Sequence, residues 1–154
     1  MEGLFLDTSA LAKLYHAEAG SSIVEGLVLR SYEAIFISRL AVVEARSVFA
    51  GKARAGVITV SAAVILRRRF FEDIANRVFR VIALTSDHYE EAAELIDRHG
   101  TSLGLRTLDA LQLAVGLSMH RGGVAESLVA SYKILCKAAR AEGIPVIDPE
   151  SSVL

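Results

Sequence analysis

Short apolar runs alternate along this chain with helical stretches, and the first runs end abruptly on side chains able to cap a helix. That order constrains the fold more than any other feature. Gly3-Leu4-Phe5-Leu6 stops at Asp7, and Ala34-Ile35-Phe36-Ile37 stops at Ser38. Residues 79–84, 124–130 and 144–147 repeat the pattern, the last ending at Asp148. Between them the apolar spacing predicts helices from Thr8 through Leu14 or Tyr15, over Ile23–Arg30, over Arg39–Arg54 and over Thr59–Arg77. Further helices are expected from Thr85 to about Arg98, from Thr107 to about His120, and over Ser131–Ala141. Residues 100–104 read as a loop between two of them. Strands separated by helices pair in parallel and carry helices on both faces. The expected class is therefore α/β, with its functional crevice outside the carboxyl ends of the strands.

A chain of 154 residues fits one domain, 1–154, and its 53% hydrophobic content fills a core without disulfides or a structural metal. A formal net charge of −1 gives no global attraction to nucleic acid, but it permits a local basic face. Most of the basic residues are Arg, which suits bidentate contacts to phosphate or carboxylate. Cys136 is the single cysteine, so no intrachain disulfide forms, and its helical surroundings mark it as a small core residue. No leader-like N-terminus and no apolar run of membrane length is visible, so a cytoplasmic protein is expected.

Three acids stand where apolar residues are expected. Asp7 closes the first strand and so falls at the carboxyl edge of the sheet. Two roles fit it, a helix N-cap and a ligand, although Thr8 or Ser9 could supply the cap instead. Glu44 has Leu40 and Val48 four residues to either side and Val43 beside it, placing its carboxylate on or beside an apolar stripe. Such a charge needs a partner: a salt bridge to Arg39 or Arg46, or a cation. Asp109 lies between Leu105 and Leu113 in the same way, in a first helical turn where the helix dipole alone favours an acid. Taken together, three carboxylates near one crevice, without His or Cys ligands, suit a hard cation such as Mg²⁺ or Mn²⁺. Such ions polarise phosphates and lower the pKa of bound water, which points to phosphodiester hydrolysis.

Four blocks extend this reading. They are Leu4-Phe5-Leu6-Asp7-Thr8-Ser9-Ala10-Leu11, Ile37-Ser38-Arg39-Leu40-Ala41-Val42-Val43-Glu44, Leu105-Arg106-Thr107-Leu108-Asp109-Ala110-Leu111-Gln112-Leu113-Ala114, and the closing Gly143-Ile144-Pro145-Val146-Ile147-Asp148-Pro149. In order and spacing they resemble PIN domains, and in particular the VapC-type ribonuclease toxins of bacterial and archaeal toxin–antitoxin pairs. The resemblance implies a three-layer sandwich with a parallel sheet of five strands. It also implies Mg²⁺- or Mn²⁺-dependent cleavage of single-stranded RNA, a small antitoxin as protein partner, and a homodimer. Asp7, Glu44 and Asp109 fall on three of that family's four acidic positions, as catalytic and metal-binding residues. Ser9 is carried over as an auxiliary group for metal-bound water.

The fourth position departs from the pattern. In Leu128-Val129-Ala130-Ser131-Tyr132-Lys133, Tyr132 stands where the family has Asp. A phenol hydroxyl is a poor ligand for Mg²⁺, and Ser131 beside it brings no charge. Glu126 begins its strand, at the wrong edge, and Asp148 ends an expected edge strand, so neither is an obvious replacement for the missing acid. The alternative is accordingly a catalytically weak or inactive PIN-like module that binds RNA or protein. Arg67-Arg68-Arg69 reads as a solvated helix face rather than an RNA or antitoxin contact. Lys13, Arg46 and Arg106 lie near the acids and could meet phosphates or pair internally, while the four His show no metal spacing. An aspartyl-nucleophile phosphatase would want an acid at Ser9, and no phosphate-binding glycine loop follows the first strand.

Overall fold

A computed structural model of the chain describes residues 3–30 and 34–151, so the ends of the expected 1–154 domain lie outside the described residues. Its elements follow the expected order. The chain opens with β1 (Leu4–Leu6), α1 (Thr8–Ala12), α2 (Ser21–Leu29) and β2 (Ile35–Ser38). It continues with α3 (Arg39–Arg54), α4 (Val60–Ala75), β3 (Arg80–Ile82) and α5 (Ser86–Leu103). The last elements are α6 (Thr107–Arg121), β4 (Ser127–Val129), α7 (Lys133–Ala141) and β5 (Val146–Ile147). All pairings are parallel, in the order β3-β2-β1-β4-β5. This is the expected α/β sandwich: a sheet of five parallel strands with helices on both faces.

Strand alternation explains the two cores. Leu4 and Leu6 of β1, Ile35 and Ile37 of β2 and Val129 of β4 face one layer, which holds Leu11, Val24, Phe49 and Phe70. Phe5, Phe36 and Leu128 point the other way, onto Leu95, Leu113, Leu117 and Leu135. Successive strand residues point to opposite faces, so a strand buried on both sides must be apolar throughout. The α6 helix passes close over β1: a Cβ on Gly116 would lie 3.2 Å from the Phe5 ring. Cys136 is buried in the second core, as expected.

Several boundaries differ from the sequence reading. The α5 helix runs on through Gly100 to Leu103, where a loop was expected, and Gly104 ends it at φ +75°. A helical Gly costs about 1 kcal/mol relative to Ala, and Leu95 and Leu103, packed on the core, offset it. The β4 strand is shorter than 124–130 because Val124 and Ala125 still bond to Met119 at the end of α6. The helix after it starts at Lys133 rather than Ser131, since Tyr132 is extended at φ −73°, ψ 116°. On α3 the buried face is Ala41, Ala45 and Phe49, whereas Val43, expected in the stripe, is 64% exposed. Arg67, Arg68 and Arg69 are all exposed, flanked by buried Leu66 and Phe70.

Candidate functional site

The sheet order reverses at β1: β2 and β3 lie on one side, β4 and β5 on the other. A crevice forms at the carboxyl ends of strands where the order reverses, and Asp7 emerges there. Its backbone N–H still pairs with Val129 of β4 at 3.1 Å. Its side chain caps α1 by accepting from the Ala10 N–H, also at 3.1 Å, so Asp7 itself supplies the cap for which Thr8 or Ser9 was the alternative. Ser9 instead donates to the two Asp7 oxygens, at 2.7 and 2.9 Å, and accepts from the Ser131 N–H at 3.0 Å. That last bond ties the end of β4 to the start of α1. The Ser131 hydroxyl is buried and has no hydrogen-bond partner among the described residues.

Glu44 reaches the same place from α3. Neither Arg39 nor Arg46 pairs with it; Arg46 lies over the Phe71 ring, 4.2 Å from its centroid. Glu44 Oε1 accepts from Thr8 Oγ1 at 3.0 Å and from Gln112 Nε2 at 2.7 Å. Gln112 also donates to Thr8 at 3.0 Å and accepts from Ser38 Oγ at 2.8 Å, while Ser38 caps α3. A carboxylate only accepts, so the Gln112 amide must turn its nitrogen toward Glu44 and its oxygen toward Ser38. Gln112 and Thr8 are site residues that the sequence reading missed as such. The signal was available: Gln112 is the only polar side chain in the buried run 110–117 of α6.

Asp109 completes the pocket from the first turn of α6, one helical turn before Gln112. Asp7, Glu44 and Asp109 line one pocket of about 210 Å³ with Thr8, Ser9, Val48, Gln112 and Tyr132. Burial pushes Asp7 up to about 6, against the lowering bonds from Ser9 and Ala10, and the Asp109 charge adds to the rise. Burial likewise pushes Asp109 up to about 6, helped by the Glu44 charge and opposed by Arg106. Excess negative charge thus gathers in a partly desolvated place.

The donor set is all oxygen, which fits a hard cation. Among the described residues no group of three His, Cys, Asp or Glu is arranged to hold a metal ion directly. The three carboxylates thus share the pocket without forming a closed ligand set, and the unsatisfied Ser131 hydroxyl belongs to the residue whose N–H bonds Ser9. Tyr132 borders the pocket at the position where a fourth acid was sought. Asp148 cannot stand in for that acid, because it accepts from Lys133 at 2.7 Å and from the Glu150 N–H at 2.9 Å. Glu126 is exposed at the opposite edge of the sheet.

The remaining candidates have structural work. Lys13 is 4% exposed and pairs with Glu18 and Glu150. His16 meets Lys52, His88 takes part in the capping box of α5, His99 pairs with Glu142, and His120 meets the Ala125 carbonyl. No described helix is long and apolar enough to cross a membrane.

Solved structures share this fold. VapC20 of Mycobacterium tuberculosis, a toxin cleaving the sarcin–ricin loop, matches with TM-score 0.66 and 23% identity, over 95% of this chain and 99% of its own. A toxin–antitoxin complex from Klebsiella pneumoniae matches at 0.59 and 20% identity, over 95% and 97%. VapBC2 of Rickettsia felis, bound to a DNA fragment from its promoter, matches at 0.62 and 15% identity, over 95% and 98%. Such identities speak for the fold alone. No curated protein is close enough in sequence to count as a relative. The PIN-domain family model, however, matches residues 4–121, which is 118 of the 154 residues. By that match this chain belongs to the PIN-domain family.

Proposed function

We propose that this protein is a metal-dependent endoribonuclease acting on single-stranded RNA, the toxin of a toxin–antitoxin pair. One observation carries the reading: three carboxylates from separate elements line one pocket at the carboxyl edge of a PIN-domain sheet. Asp7, Glu44 and Asp109 would hold a hydrated Mg²⁺ or Mn²⁺. When bound, such an ion supplies charge to polarise a phosphate and a water of lowered pKa. The protein's own groups prepare the place. Thr8 and Gln112 fix one oxygen of Glu44, and Ser9 and Ala10 fix Asp7. Exposed Arg106, beside Asp109, is available to meet a substrate phosphate.

Partner surfaces support the toxin reading. A cavity of about 390 Å³ between α3 and α4 is lined by Phe49, Ala53, Val60 and Val64 and rimmed by Arg46, Arg54 and Arg67. Val57, Val60 and Ile65 are exposed near it. We assign this region to a small antitoxin and a second copy of the chain, in keeping with the toxin–antitoxin complex from Klebsiella pneumoniae that shares the fold. Tyr132 favours a second reading, a PIN-like module that binds RNA or protein with little or no cleavage.

Purified protein incubated with single-stranded and structured RNAs, in Mg²⁺, in Mn²⁺ and in chelator, separates the two. Cleavage of the single-stranded RNA that requires metal and disappears in Asp7→Asn supports the ribonuclease. RNA left intact under every metal condition, by folded protein, would sink it.

A further inference from the structure

We propose that Tyr132 is a stacking platform for a nucleobase of bound single-stranded RNA. The identity of the ligand rests on the ribonuclease reading; the aromatic site itself rests on the geometry below.

Position comes first. Tyr132 lines the acid pocket and both cavities that flank it. One, of about 520 Å³, contains Arg106, Leu108, Ile96 and Asp109. The other, of about 310 Å³, contains Lys13, Lys52, Glu18 and Glu150. A strand reaching the acids from either side passes the phenol ring.

The ring is also unclaimed by the fold. Tyr132 is 44% exposed, and among the described residues its hydroxyl has no hydrogen bond and its ring no aromatic contact. Tyr15 shows what a structural tyrosine looks like here, its hydroxyl bonded to Asp73 and its ring edge-on to Phe49 and Phe70. Although exposed, Tyr132 has an anchored backbone. The preceding Ser131 N–H is bound to Ser9, and the Tyr132 carbonyl accepts from Cys136 at 3.0 Å. With the backbone anchored, binding has only the two side-chain torsions of the tyrosine left to order, a small cost.

Charge around the ring selects the ligand. Lys13 and Lys52 are neutralised by Glu18 and Glu150. Arg106 forms no ion pair among the described residues, and so is the cation left for a backbone phosphate on the Tyr132 side. Leu108, 50% exposed, adds apolar surface to the same cavity. A basic side chain beside an aromatic face is the arrangement that holds unpaired bases, and it is tolerant of sequence because every base has a π-face. The residue that departs from the acid pattern thus gains a role in substrate positioning.

The test measures binding and cleavage separately. Fluorescein-labelled single-stranded RNA is titrated by anisotropy in chelator against the unmodified protein, Tyr132→Phe, Tyr132→Leu and Tyr132→Ala. Circular dichroism establishes that each variant is folded. Tyr132→Ala is expected to bind about 5- to 150-fold more weakly, the loss of one base–aromatic stack. Tyr132→Leu, with bulk but no π-face, should be weakened similarly, and Tyr132→Phe should bind like the unmodified protein. An oligonucleotide with abasic positions should bind unmodified protein and Tyr132→Ala alike.

Equal RNA affinity of Tyr132→Ala and unmodified protein overturns the proposal, as does Tyr132→Phe binding as weakly as Tyr132→Ala. Failure of the unmodified protein to bind RNA overturns it too. Binding with the expected ring dependence but no cleavage in Mn²⁺ leaves the platform standing and removes the ribonuclease.

Discussion

Replacing Asp7 by Asn should make the metal-free protein more stable while abolishing its metal response. Asp7 is only 4% exposed, and burial raises its carboxyl from the ordinary 3.8 to about 6. That rise is worth roughly 3 kcal/mol between its neutral and ionised forms. Because the folded value is raised, the neutral acid is favoured in the fold. The stability this provides is present in full below about pH 4 and is lost as pH rises through about 6. Asn stays neutral throughout, and its side-chain oxygen can still accept the Ala10 N–H that caps α1. At pH 8 in chelator, Asp7→Asn should therefore gain up to roughly 3 kcal/mol, or roughly 5–10 °C in Tm for a chain of this size. Near pH 4 the gain should vanish. Mn²⁺ at about 1,000 times its Kd should reverse the order, since it adds roughly 4.1 kcal/mol to the protein that binds it. Thermal unfolding followed by circular dichroism at pH 4, 6 and 8, with and without Mn²⁺, measures all of this. A variant no more stable than the unmodified protein at pH 8, or a gain that ignores pH, would refute the argument that Asp7 is a desolvated carboxylate awaiting a cation.

Protons and metal should compete at the same carboxylates. Mn²⁺ affinity, measured calorimetrically, is expected to fall steeply below about pH 6 as Asp7 and Asp109 protonate, and a flat profile from pH 5 to 8 would argue against them as ligands. Gln112→Leu leaves Glu44, Thr8 and Ser38 without a shared partner, so it should cost roughly 1–3 kcal/mol in chemical denaturation. The same variant should lower metal affinity by freeing Glu44; unchanged denaturation and metal binding would refute the proposed bracing role. Tyr132→Asp returns a fourth carboxylate to the pocket rim and should tighten Mn²⁺ binding while weakening RNA binding. If the substitution leaves Mn²⁺ affinity unchanged in a folded protein, Tyr132 does not occupy a ligand position.

The sequence by itself determined the class of fold and singled out the three acids as candidates. Apolar runs ending on Asp7 and Ser38, separated by helical spacing, specify buried parallel strands, because a strand with helices on both faces has no polar side. The acids were legible for the converse reason: a carboxylate amid apolar residues carries a cost that its neighbours in sequence cannot remove.

Tertiary structure decided which partners meet those acids. Nothing local links Thr8, Glu44 and Gln112, which come from α1, α3 and α6 and touch only when the sheet brings those helices to one edge. Helical period alone also misplaced the buried face of α3, where packing against the sheet chose Ala41 and Ala45 and left Val43 outside. Local propensity disfavours Gly100 in a helix, yet Leu95, buried, and Leu103, packed on the same core, carry α5 through it. Tyr132 shows the same division. In the sequence it registers only as a missing carboxylate. Its place at the junction of three cavities follows from β1, β4 and α6 converging there, a long-range arrangement that no window of neighbouring residues encodes.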